Sequence, residues 1–175
     1  MEAVSFLNGE KWTDMPECAC PVIARFCRHL NDKMDQGFRD RLLGYAPRLI
    51  GTASPEHEIE RVEFLAWRAV KTFAPIALDE VGLHKEAEEL RSFDISRGLS
   101  AAARAAAASA AADAAARAAA ANAAAYAAYS AADADPDAIF KVLDGVLEIG
   151  PSGKGYQPIH IERLSKLNEI LEAAA

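Results

Sequence analysis

The amino-acid sequence predicts an all-α protein, a compact bundle of about seven or eight helices that includes one long alanine-rich helix. Three observations predict it. Proline recurs at a first helical position directly after a residue placed to cap, at Cys20-Pro21, Ser54-Pro55 and Asp135-Pro136. Apolar residues recur three and four apart instead of alternating. Between Ala101 and Ala132, 24 of 32 residues are alanine, which has the best intrinsic helix propensity because it has no side-chain entropy to lose.

The elements follow in order. Pro21 opens VIARFCRHLNDKM, with Val22, Phe26 and His29/Leu30 at helical spacing and Ile23 beside them. Gly37 separates this helix from FRDRLLGYAPRLI, a short helix expected to kink or end before Pro47. Ser54 is placed to accept from an orphan amide, and Glu56 and Glu58 suit the positive end of a helix running to about Phe73. Its predicted inner face is Ile59, Val62, Leu65, Ala66, Ala69 and Phe73, widened by Phe64 and Trp67. Pro75 starts another short helix through Val81, Gly82 ends it, and HKEAEELRS adds a further turn or two. Ser100 caps the alanine tract. Asp135-Pro136 launches DAIFKVLDGVLEI, with Ile139, Val142, Leu143 and Val146 inward. After the loop GPSGKGYQ, Pro158 opens a last helix carrying Ile161, Leu164, Leu167 and Leu171 on one stripe. No linker is long enough to divide the chain. It reads as one domain, 1–175: N-terminal helices over 1–95, the alanine-rich helix over 100–133 and a C-terminal helical hairpin over 136–175.

An unbroken alanine helix would be about 50 Å long, more than a small domain's diameter, so it projects or is broken, with Asn122 the expected break. Small side chains let a second helix approach closely, which suits a central spacer helix. The same tract can instead present its polar marks to a partner. Ser109, Asp113 and Arg117 lie within about 80° of one another around the axis, and Asn122, Tyr126 and Ser130 form a second group rotated from the first. Asp113 and Arg117 are also a favourable i,i+4 pair. Ice binding needs a regular threonine-bearing face, and the tract has no threonine and a drifting stripe.

Chemistry-bearing residues are few. Cys18, Cys20, Cys27 and His29 fall within ECACPVIARFCRH, but a helix from Pro21 puts Cys20 and Cys27 about 10 Å apart along its axis, too far for one tetrahedral zinc. The expectation is buried or capping cysteines and no metal. A thiol activated at the helix N-terminus, at Cys20, is the enzymatic alternative. GPSGKG fails the phosphate-loop pattern, because Glu148 stands at the first glycine position and Gly155 at the magnesium-binding one. His57, His84 and His160 read as surface or capping residues, with no serine, cysteine or second histidine at a telling spacing. Trp12 and Trp67 read as core anchors. No cofactor is implied.

The net charge of −7 argues against a nucleic-acid partner, which needs a basic face. Arg104, Asp113 and Arg117 interrupt the one long apolar tract, so no membrane span is expected. MEAVSFLNGEKW lacks a basic n-region and an apolar h-region, and three cysteines suit a reducing compartment. The expected location is cytoplasmic.

The stretch F-L-x-G-E-x-W-x-D-x-P-E-C-A-C-P-V-I-A-x-F (Phe6 to Phe26), followed by P-R-L-I-G-T (Pro47 to Thr52) and an alanine-rich second half, resembles a group of bacterial and phage proteins without an assigned activity. It covers about the first 90 residues by motif and implies no catalytic residue. AAYAAYSAADAD is similar in composition to alanine-rich immunity proteins of polymorphic toxin systems. The leading expectation is therefore a non-enzymatic helical module that binds another protein, as an inhibitor, immunity or anti-defence protein of a mobile element. Tyrosine and arginine are enriched at interface hot spots, so Arg104, Asp113, Arg117, Tyr126 and Tyr129 are the expected partner-binding residues. A small thiol-dependent enzyme or redox protein, and a structural homo-oligomer, are the alternatives.

Overall fold

The computed structural model describes residues 1–92, 122, 124, 125, 127–132, 134–151, 163, 165–167, 169, 170, 172 and 173. The described residues form helices and no strand, as expected.

The first helix, α1 (Glu2–Asn8), is not anticipated by the sequence, since seven residues without a polar cap carry little signal. It buries Val4 and Leu7 and ends at Gly9, whose φ of 77° is a left-handed cap. The Arg163 guanidinium lies over Gly9 and donates to the carbonyls of Phe6 and Leu7 at 3.4 Å, meeting the negative end of α1. Helix α2 (Pro21–Lys33) starts at the expected proline and buries Val22, Ile23, Phe26, Cys27 and Leu30. Helix α3 (Gln36–Leu43) is capped by Asp35, whose carboxylate accepts from Phe38 N at 2.8 Å, so Gly37 lies in its first turn and is not a separator. The chain leaves the helix before Pro47, as expected. It resumes as α4 (Ala46–Leu49), with Pro47 buried in the first turn, where no amide is needed.

From Pro55 to Glu80 the chain is one continuous helical rod, not two helices. It comprises a 3-10 turn (Pro55–His57), α5 (Glu58–Arg68), a π-helical turn (Ala69–Phe73) and α6 (Ala74–Glu80). Pro75 explains the join. It cannot donate to the carbonyl four residues back and its ring crowds that carbonyl; the widened π turn ahead of it makes room without ending the rod. The inner face also departs from expectation. Val62, Leu65 and Phe73 are buried, but Ile59 is 43% exposed and Ala66 is exposed, while Arg61 is fully buried. Gly82, at φ 80°, turns the chain into α7 (His84–Ser92).

Asp135 caps α8 (Pro136–Leu147) by accepting from Ala138 N at 3.0 Å, and the predicted face of Ile139, Val142, Leu143 and Val146 is buried. Helices α2 and α8 both pack on α5, and α1 packs on α4. Asn122 is helical, not a break, and accepts from Arg25 Nε at 2.8 Å. Beyond it Ala124, Ala125, Ala128 and Ala131 sit in the core, so this end of the tract is a thin spacer. In the last segment Leu167 is buried as predicted, whereas Ile170 is 43% exposed. No helix among the described residues is long and apolar enough to cross a membrane.

Candidate functional site

Of the expected partner-binding residues, Arg104, Asp113, Arg117 and Tyr126 lie outside the described residues, as do His160 and most of the GPSGKG loop. Tyr129 is described. It is 48% exposed, and Ser130 beside it is exposed, while Ala128 and Ala131 on either side are buried. The short methyl groups face the core, and the aromatic ring stands outward from the same turn. Trp12, expected in the core, is 61% exposed; only the edge of its ring packs, on Phe6 at 5.9 Å between centroids. Trp67 is half-buried under the Lys71 ammonium, 5.2 Å away.

The cysteine segment and PRLIGT are joined by hydrogen bonds. Cys18 O accepts from Gly51 N (2.9 Å) and Ala53 N (3.2 Å). Thr52 Oγ1 accepts from Cys20 N (2.9 Å) and donates to Leu49 O (2.7 Å). Thr52 thus holds the amide of the residue that precedes α2, while the Cys20 side chain makes no capping bond. Glu10 holds the other side of the loop, accepting from Glu17 N at 2.9 Å and Cys18 N at 3.0 Å. Burial pushes the Glu10 carboxyl up, but hydrogen bonds from Cys18, Asn8 and Glu17 outweigh it and hold the pKa below the ordinary value. Burial, reinforced by a hydrogen bond to Glu10, pushes the Cys18 thiol up to about 12, and burial alone pushes Cys27 up to about 12. Thiols with such pKa values stay protonated at neutral pH, the opposite of the activation that nucleophilic cysteines need. Among the described residues no group of three or more His, Cys, Asp and Glu side chains is placed to hold a metal ion.

Arg61 is a junction that sequence reasoning missed. Its side chain is 0% exposed, and its guanidinium donates to Thr52 O, to Ile149 O at 3.0 and 2.7 Å, and to Pro151 O at 3.0 Å. Thr52 follows the C-terminus of α4, and Ile149 and Pro151 follow that of α8. The buried cation is therefore solvated by the carbonyls just beyond two helix C-termini, the ends that carry partial negative charge. The available signal was positional: Arg61 lies four residues before Leu65 and next to Val62, on the apolar stripe.

Beside this junction Ser54 Oγ lies 2.7 Å from His57 Nδ1, a serine–histidine pair that the sequence reading did not foresee. The pair sits at a helix start, where the Ser54 hydroxyl meets the His57 ring and not the orphan amide it was expected to cap. Glu56 approaches the same Nδ1, at 3.7 Å, whereas a catalytic triad puts serine and acid on opposite ring nitrogens. Ser54 is moreover 4% exposed. The ring packs over Gly150, where an added Cβ would meet it at 2.5 Å.

A cleft of about 210 Å³ lies between α1, α2, α3, α4 and the described turns of 163–173. Val4, Leu49 and Leu167 give it an apolar floor, with Trp12 and Asn31 among its lining residues. Glu2, also in the lining, is paired with the Met1 amine at 3.3 Å. Arg39 completes the wall. It is half-buried, and its Nε is buried with no hydrogen-bond partner among the described residues.

Comparison with known proteins places no relative beside this chain: no family model, no curated protein and no solved structure matches it.

Proposed function

We propose that the chain is a non-enzymatic helical module that binds another protein, acting as an inhibitor, immunity or anti-defence protein of a mobile element. One observation carries the reading: Tyr129 stands 48% exposed on a helical turn whose alanines are locked in the core. An aromatic side chain on an immobilised backbone binds at low entropic cost, and such anchors dominate interface energies. The protonated thiols of Cys18 and Cys27, the buried Arg61 and the Ser54–His57 contact all have a place in the fold, which favours recognition as the role for the exposed face.

The test is affinity capture of the tagged protein from its native host, with light scattering on the eluate, for the native chain and Tyr129→Ala. A stoichiometric partner whose affinity falls about tenfold or more in the variant, with the helical circular dichroism unchanged, supports the reading. A homo-oligomer with nothing attached, or a partner held equally by the variant, overturns it.

A further inference from the structure

We propose that the cleft between α1, α2, α3 and α4 binds a small monocarboxylic acid with an apolar body, its carboxylate seated on Arg39. The walls set the chemistry. The floor of Val4, Leu49 and Leu167 excludes a strongly hydrated ligand. Arg39 brings a buried Nε–H without an acceptor, and a buried donor is unfavourable until an acceptor meets it. Of the other acid–base groups on the wall, Glu2 and the Met1 amine satisfy each other and the Cys27 thiol stays protonated and neutral, so the guanidinium is the charge left to be matched among the described lining residues.

A guanidinium presents Nε–H and one Nη–H as a planar fork that fits the two oxygens of a carboxylate. With the Met1 amine paired to Glu2, the wall carries one net positive charge, which favours a monoanion over a phosphate dianion, whose second charge would remain uncompensated. The volume, about 210 Å³, lies below the roughly 300 Å³ at which sites for drug-sized ligands begin, so the acid is small. Trp12, 61% exposed and part of the lining, is placed to cover its apolar end.

Octanoate is the probe, and octanol its uncharged counterpart. Calorimetry on the full chain should show octanoate binding with Kd below about 1 mM. It should also show octanol at least about tenfold weaker, and a loss of about tenfold or more in Arg39→Gln. In the native protein the Arg39 Nε–Hε resonance should move as octanoate is added, an observation that does not depend on the variant folding. Absence of octanoate binding at about 10 mM, equal affinity for octanol, or an unmoved Nε–Hε resonance at saturation would each overturn the assignment.

Discussion

Two arginines with buried nitrogen atoms occupy opposite situations in this molecule. Arg61 is wholly enclosed, and its guanidinium reaches three backbone carbonyls. Arg39 is half-buried, and its Nε reaches none. The first cation is consumed by the fold: it ties the segment after α4 and the segment after α8 to α5, so its chemistry is not available to anything else. The second belongs to a cleft wall and keeps a buried Nε–H without an acceptor among the described residues. Burial alone therefore does not separate a structural arginine from a recognition arginine; satisfaction of its donors does.

The comparison is tested most severely by one substitution made at both sites. Arg61→Met nearly conserves volume but strips the carbonyls of Thr52, Ile149 and Pro151 of their donor. Each carbonyl left without a donor costs about 1–3 kcal/mol, and water can reach part of the site, so a loss of at least about 3 kcal/mol is expected in urea unfolding. A loss under about 1 kcal/mol would mean that water replaces the guanidinium freely and that the junction is not a clamp. Next in size is Gly150→Ala, which adds a Cβ at φ 69° against the His57 ring. About 2–3 kcal/mol is expected from the left-handed backbone and the clash together. Removing His57 as well (His57→Ala) should recover the clash portion but not the backbone portion, a double-mutant cycle that apportions the two. Thr52→Val follows, removing the acceptor for Cys20 N and the donor to Leu49 O inside the same junction. About 1–2 kcal/mol is expected.

Where the sequence was legible, local chemistry decided the outcome. Asp135-Pro136 starts α8 because cap and proline act within one turn, Pro21 starts α2 without a side-chain cap from Cys20, and the inward faces follow from the 3.6-residue period. It was illegible where a rule was overridden from a distance. Pro75 reads as a helix start, yet a π turn carries the rod through it. Trp12 reads as core by composition, but its loop is organised by Glu10, Thr13 and Ser5, which leaves the ring at the surface. Arg61 reads as solvated, and only the meeting of two helix C-termini in space makes its burial tolerable. The cleft joins six segments from Met1 to Leu167, so no spacing could announce it. The two motifs that carried a resemblance, around Cys18-Ala19-Cys20 and Gly51-Thr52, turn out to bond to each other. Their pattern is explained by architecture and requires no catalytic role.

The thiols of half-buried Cys18 and buried Cys27 give a milder test of the same principle, that groups taken up by the structure serve the fold. Cys18 and Cys27 titrate near 12 when folded against an ordinary value of 9.0. A raised folded pKa means the unfolded chain loses its protons first. Their contribution is complete below about pH 9 and is lost as pH rises toward 12. Stability measured by urea unfolding should fall across that window, and replacing both residues by alanine should flatten the fall. Labelling by a thiol reagent at pH 7 should be slow for both in the folded protein. Fast labelling of Cys27 would show that the core around α2 opens more readily than its packing implies.

The smallest expected effect is the most informative. Arg39→Met removes a donor that has no partner and keeps an apolar stem of similar reach. The unmatched group gives nothing to the folded state, so stability should change by no more than about 0.5 kcal/mol and can rise. A loss of more than about 2 kcal/mol would place Arg39 with Arg61, as a residue the fold consumes, and would remove the basis for distinguishing the two sites. Near-neutral stability would mean that the fold tolerates an unsatisfied arginine it does not need. That outcome would leave the Arg39 donor available to the cleft ligand proposed above.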